Sequence, residues 1–228
     1  MSRTIAIHQP EYFPWLGFLD KARQVDTFVL LDSVQFDRSS LQHRAKVLGP
    51  QGLVWLTIPY VHKHPQRIDE LTFADPRWAT KHWKTLQACY GKRPNAKPIL
   101  AAIEPYFVAN HARVVDATSA SCALLFEAFG ITTQVVRSSE LDVAGDKADL
   151  VLSICRALGA TRYLSGRTGA SYLEEANFGQ SGVEVEVQRF EAKPYPRRDV
   201  GDAELRGLSA LDAWLELGDD ARRYFEGG

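Results

Sequence analysis

Thr4-Ile5-Ala6-Ile7-His8-Gln9-Pro10-Glu11-Tyr12-Phe13-Pro14-Trp15-Leu16-Gly17-Phe18 is the stretch that decides the fold. Thr4 to Ile7 is a short apolar run rich in β-branched residues and reads as a buried strand. Pro10 and Pro14 interrupt regular structure, because each lacks an N–H and restricts the residue before it. Apolar residues then return at helical spacing between Trp15 and Gln24 (Trp15, Phe18, Leu19, Ala22), and Val25 to Leu31 is a second apolar strand. Strand, polar aromatic loop, helix, strand makes a βαβ unit. In open sheets of this kind ligands bind outside the carboxyl ends of the strands. His8, Gln9 and Tyr12 follow one such end, and Asp32 and Gln35 follow the next.

Working outward, Arg44-Ala-Lys46-Val47 and Leu53-Val-Trp55-Leu-Thr-Ile58 flank Gly49-Pro50-Gln51-Gly52, a hairpin signal. Ile68 to Phe73 reads as another short strand. Asp75-Pro76 has the form of an N-cap followed by proline at the first helical position. A helical block from about 75 to 130 follows: one helix to Gly91, a second over Ala96–Val108 bent or ended by Pro105, and a third over Val114–Phe129 stopped by Gly130. Strands at Thr133–Val136, Thr161–Leu164 and Val183–Val187 then alternate with helices at Asp146–Leu158 and near Tyr172–Ala176. The last strand alternates as though one face were wet. Ser209 begins the final helix, with Asp212 placed as in a capping box. The expected architecture is α/β: one domain over residues 1–228 with a mainly parallel Rossmann-like sheet, flanking helices, a β-hairpin and a helical insertion.

The totals narrow the function classes. With 228 residues, 45% hydrophobic and 24% charged, the chain has the makings of a full core. A net charge of −1 gives no global field for nucleic acid or anionic lipid, so neither is expected as a partner. Cys89, Cys122 and Cys155 are widely spaced without a CxxC pattern, which suggests neither a disulfide framework nor a metal site. They read as small buried hydrophobes rather than nucleophiles. No apolar run approaches bilayer length and the N-terminus has no signal-peptide pattern, so a cytoplasmic protein is expected. GxSxG, GxGxxG and the Walker lysine loop are all absent.

Three strand ends share a character: His8-Gln9, Arg137-Ser138-Ser139 and Ser165-Gly166-Arg167. In a parallel sheet they converge on one rim with Asp32 and Gln35. His8 has the ordinary titration range of a general base or acid, with a structural histidine bonded to a backbone carbonyl as its competing role. Lys21 either points back at the rim or faces water. Gly166 and Gly169 let backbone N–H groups approach an anion, although turn chemistry alone accounts for such a pair. Arg44 with Lys46 could hold a phosphate; His62 and His64 read as solvated surface. Trp78, Trp83 and Tyr90 read as core.

The same residues carry a family resemblance. His8-Gln9-Pro10-x-Tyr12-Phe13-Pro14-Trp15-Leu16-Gly17-Phe18-x-x-Lys21 resembles the hallmark of the WbqC-like protein family. Asp32-x-Val34-Gln35-Phe36, Arg44-x-Lys46, Trp55-Leu56-Thr57-x-Pro59, Ser138-Ser139-x-Leu141, Tyr163-Leu164-Ser165-Gly166, Tyr172-Leu173 and Leu208-Ser209-x-Leu211-Asp212 extend it along almost the whole chain. His43 stands where asparagine is expected, and Pro196-Arg197 follows Tyr195 where glutamine is usual. The resemblance implies a transferase that passes an acyl or aminoacyl, glycyl-like group from a carrier-protein thioester to an amine such as an amino sugar, in surface-polysaccharide or secondary-metabolite biosynthesis. Its implied partners are an acyl or peptidyl carrier protein and a small-molecule amine. No cofactor is expected beyond the carrier's phosphopantetheine arm, with ATP the alternative. His8, Lys21 and Asp32 are the expected catalytic residues. Gln9, Tyr12, Trp15, Gln35, Arg44, Ser138, Ser165, Gly166, Arg167 and Tyr172 are the expected substrate contacts. The alternatives are an ATP-dependent amide ligase related to nucleotidylyltransferases of the HxGH type, in which Phe18 replaces the second histidine, and a non-catalytic binding protein of a biosynthetic complex. On this reading His8→Ala or Asp32→Asn lowers turnover with little loss of stability.

Overall fold

A computed structural model describes residues 2–61, 63–167, 169, 178–196 and 207–226. Its contacts divide the chain into two compact units: Met1–Gln9, Asp20–Ser33 and Thr132–Glu191 in the first, the remainder in the second. The boundary falls inside helix α1 (Leu16–Arg23).

The first unit is built on a five-stranded, wholly parallel sheet. Strands β1 (Thr4–His8), β2 (Thr27–Leu30), β7 (Gln134–Arg137), β8 (Arg162–Ser165) and β9 (Glu184–Val187) lie in the order β7-β2-β1-β8-β9. Ranked by their place in the chain, these strands run 3-2-1-4-5. The direction of progression therefore reverses between β1 and β8, which makes their carboxyl ends the topological switch point. β1 and β2 are buried on both faces, as parallel strands covered by helices must be. β9 differs from expectation: at the sheet edge, three of its four residues are exposed instead of alternating. Helix α5 (Lys147–Ala157) ends before Gly159, whose φ of +63° supplies the left-handed turn into β8.

The second unit holds an antiparallel hairpin of β3 (Arg44–Gly49) and β4 (Gly52–Thr57), a two-residue pair of β5 (Tyr60–Val61) and β6 (Thr72–Phe73), and helices α2 (Trp78–Tyr90), α3 (Ala96–Val108), α4 (Val114–Ala128) and α6 (Ala210–Leu217). Its core is aromatic: Tyr12, Phe13, Trp78, His82, Tyr106 and Phe107 pack with ring centroids 4.8–6.5 Å apart in mostly edge-to-face geometry. Gly17 makes room for the half-buried Trp15 ring, since a Cβ there would lie 2.2 Å from it.

Three local expectations are corrected. Ile68–Glu70 is a 3-10 turn and only Thr72–Phe73 is strand, because the Glu70 carboxylate accepts the Arg67 N–H at 3.0 Å and closes the turn. Helix α2 begins at Trp78 rather than after Asp75: the Asp75 carboxylate takes the Arg77 N–H and side chain in a turn before the helix. Ser209 does cap α6 by accepting the Leu211 N–H, but Asp212 closes no capping box. Its buried carboxylate instead accepts the hydroxyls of Tyr90 and Tyr195, both at 2.8 Å.

Candidate functional site

The parallel register carries the polar strand ends of the first unit to one level. Arg137 pairs with Leu30 and Leu30 with His8; Ala6 pairs with Leu164, so Gly166 follows at the height of His8. His8, Lys21 and Gly166 cluster at the β1/β8 switch point, and Asp32, Arg137, Ser138 and Ser139 at the ends of β2 and β7.

At the switch point His8 is partly buried. Its Nδ1 lies 2.9 Å from the Gln9 carbonyl oxygen, which can only accept, so Nδ1 carries the proton and Nε2 is the acceptor nitrogen. Burial and the positive charge of Lys21 push the imidazole down to about 3, against the upward pull of the Gln9 carbonyl. That replaces the expected titration near neutrality: His8 is uncharged throughout the physiological range. Lys21 is buried and donates from Nζ to the Ile7 carbonyl at 3.1 Å, so it points back at the rim. A Cβ placed on Gly166 would lie 3.7 Å from that Nζ. That is an ordinary contact, which places Gly166 beside the ammonium without crowding it. Ser165 is buried with its hydroxyl donated to the Gly166 carbonyl, and a Cβ on Gly169 would lie 2.8 Å from that hydroxyl oxygen. Ser165 thus shapes the turn, while Arg167 is exposed beside it. Because the Lys21 charge is one cause of the His8 depression, Lys21→Met is expected to move the His8 titration upward. Two-dimensional NMR shifts of the ring, followed down to the pH at which each protein unfolds, read that change as an earlier onset of protonation; an unmoved curve removes the coupling.

The second cluster corrects the role expected of Asp32. Its carboxylate is fully buried and accepts from Arg137 Nε at 2.6 Å, Ser138 Oγ at 3.0 Å, and the Ser139 N–H and Oγ at 2.9 and 2.8 Å. Ser138 Oγ in turn accepts the N–H groups of Asp32 and Ser33. Burial alone would raise the Asp32 carboxyl, but the hydrogen bonds from Arg137 and Ser139 outweigh it and hold the group below the usual carboxylate range. A carboxylate already taking four donors is a brace between β2 and β7, not a proton acceptor for substrate. Ser138, expected as a substrate contact, is buried in the same brace. Arg137, expected at the rim but not among the catalytic residues or substrate contacts, is the basic residue closing a strand beside two serines that holds the Asp32 carboxylate.

The remaining expected contacts lie in the second unit. Tyr12 is buried, and its hydroxyl donates to His82 Nδ1 at 2.9 Å while His82 Nε2 donates to the Thr57 carbonyl at 3.1 Å. Tyr12, expected as a substrate contact, is therefore a buried core residue. Trp15 is half-buried; Ser209 stands across an antiparallel bridge from it. Gln35 is exposed and hydrogen-bonds His64 at 3.1 Å. Arg44 donates to the carbonyls of Ser39 and Ser40 and stacks 4.9 Å from the Trp55 ring centroid. Tyr172, Arg197 and His62 lie outside the described residues. All three cysteines are buried, and burial pushes the Cys155 thiol up to about 12 and the Cys122 thiol higher still. Among the described residues no group of His, Cys, Asp and Glu could hold a metal ion, and no helix is long and apolar enough to cross a membrane.

The family model of the WbqC-like protein family matches residues 9–224. The chain belongs to the WbqC-like family. The uncharacterized protein Rv1507c of Mycobacterium tuberculosis is 26% identical to it over 225 residues, covering 97% of both chains. In this WbqC-like protein Gln9, Lys21, Asp32, Ser138-Ser139 and Ser165-Gly166, all of the first unit, lie at the carboxyl rim of one sheet.

Proposed function

We propose that this WbqC-like protein is an amide-forming transferase that passes an acyl or aminoacyl group from a carrier-bound thioester to a small-molecule amine, with the β1/β8 switch point as its active site. The observation that carries the reading is a neutral imidazole whose acceptor nitrogen is fixed by Gln9, set beside the buried positive charge of Lys21. The amine nitrogen attacks the thioester carbonyl carbon. The new C–N bond leaves positive charge on nitrogen and negative charge on oxygen. An N–H on that positive nitrogen is far more acidic than on the free amine, so a weakly basic imidazole suffices to take the proton at Nε2. The Lys21 ammonium favours the developing oxyanion, and the oxyanion in turn raises the proton affinity of His8. Collapse of the intermediate breaks the C–S bond, and the proton passes from Nε2 to the leaving thiolate.

A second reading has its own support. The 3-2-1-4-5 strand order, a histidine ending β1 and a lysine on the following helix also suit an ATP-dependent ligase, with phosphates near Lys21 and Gly166. Phe18, buried where that pattern needs a second histidine, counts against it.

Transfer predicts amide formation from an acylated carrier and an amine without ATP, and a fall of about 10²–10⁴-fold in turnover for His8→Ala. The circular dichroism spectrum should be unchanged. Full activity in that variant would end the proposal. Release of pyrophosphate or ADP that depends on a free acid would select the ligase, and ligand affinity without turnover would select a binding protein.

A further inference from the structure

One face of the β3–β4 hairpin is covered at Leu48 and open at Leu53, Trp55 and Thr57. Ala45, Val47 and Leu56 are buried, whereas Lys46 stands directly across from Trp55 and Arg44 across from Thr57 on the opposite face. Trp55 is 46% exposed and Leu53, two residues away on that face, 39%. The Arg44 guanidinium lies 4.9 Å and the Lys46 ammonium 5.3 Å from the Trp55 ring centroid. Among the described residues neither cation has a carboxylate within ion-pair distance. Asp37, the acid that feels the charge of Arg44, is hydrogen-bonded by the Ser39 hydroxyl and N–H. At the hairpin tip, Gly49 to Val54 line a depression of about 370 Å³ that continues this face through Leu53.

We propose that this hairpin face is a docking surface for an acidic carrier protein, whose negatively charged helix meets Arg44 and Lys46 while an apolar side chain covers Leu53 and Trp55. The inference rests on the carrier-dependent reading above. Charge decides the occupant. A chain of net charge −1 keeps two cations beside an exposed tryptophan, neither with a carboxylate within ion-pair distance among the described residues, and exposed aromatic side chains and arginine are what protein interfaces enrich. A second copy of the chain is a poor match: its exposed acidic strand, Glu184 and Glu186, already faces Arg162 with both carboxylates 3.6 Å away.

The test is titration of purified holo-acyl carrier protein into the full chain at low and high salt, beside turnover of an acyl-N-acetylcysteamine thioester that needs no docking. Expected are salt-weakened binding, a tenfold or greater loss of affinity in Lys46→Glu and in Trp55→Ala, and unchanged turnover of the small thioester in both. Absent binding, or binding that neither substitution alters, overturns the docking surface. Self-association that Trp55→Ala abolishes also overturns it, in favour of a contact between copies. Carrier binding sensitive to Lys46→Glu, with no turnover of the small thioester by the unaltered protein, supports the surface and sinks the transfer reading instead.

Discussion

Acidification from pH 7.5 to pH 5 should cost this protein most of its stability, well above the range where carboxylates titrate. Three histidines are responsible. Burial and the Lys21 charge lower His8 to about 3, burial and the neighbouring Arg44 lower His43 to about 4, and burial lowers His82 to about 4 against the pull of the Thr57 carbonyl. His43 sits edge-on to Phe36 and Tyr60 with its Nδ1 buried and unpartnered, so a second proton there has nothing to hold it. His82 spends both nitrogens, accepting from Tyr12 and donating to Thr57, so protonating Nδ1 turns an acceptor into a donor facing a hydroxyl. The sign follows from linkage. Each group binds its proton more weakly in the folded than in the unfolded chain, so its contribution is complete above about 6.5 and falls as pH drops toward the folded value. The slope is about 1.4 kcal/mol per pH unit for each histidine, or roughly 6 kcal/mol for the three by pH 5. That is comparable to a whole domain's stability. Urea unfolding at pH 7.5, 6 and 5 measures it, and equal midpoints at all three would refute the neutral-histidine account.

The sheet was legible because its signal is local. Apolar runs ending at or near His8, Asp32, Arg137 and Ser165 mark the parallel strands, buried at β1, β2 and β8 and partly exposed at the edge strand β7, and the prolines and glycines between them mark where each stops. What the chain could not announce was what happens to polar side chains once buried. Asp32 and His8 look alike in sequence, each a titratable group just past an apolar strand. One meets four donors brought from β7, over a hundred residues away, and becomes a brace; the other meets a carbonyl one residue on and the ammonium of Lys21. Tyr12, expected as a substrate contact, is a buried core residue for the same reason, since its partner His82 belongs to a helix seventy positions later. Asp212 has the spacing of a capping residue, yet Tyr90 and Tyr195 claim it first. Periodicity reports which face is apolar, whereas hydrogen-bond partners across the fold depend on three-dimensional placement that spacing does not encode.

Asp32→Ala is expected to destabilise the protein by about 3–5 kcal/mol, the scale for removing one member of a buried ion pair. The sequence alone leads to the expectation that Asp32→Asn spares stability; the four donors on the carboxylate argue for the opposite outcome. Without the carboxylate, Arg137 keeps a partly buried charge and the Ser139 N–H and both serine hydroxyls lose their acceptor. Leaving buried donors unsatisfied costs more than the hydrogen bonds were worth on balance. Asp32→Asn keeps the shape but turns one acceptor oxygen into an amide that faces donors, so it should fall between the two. Two further measurements separate this account from simple loss of packing. The carboxyl is held below its usual range, so the stability it supplies is present above about pH 4 and lost as pH falls through its lowered value. The gap between the native protein and Asp32→Asn should therefore narrow below that pH. Arg137→Met should rescue part of the Asp32→Ala loss, because it removes the charge left behind, and a double-mutant cycle reads the coupling directly. Additive losses would mean that Asp32 and Arg137 do not act as a pair, and the brace between β2 and β7 would then rest on the serines alone.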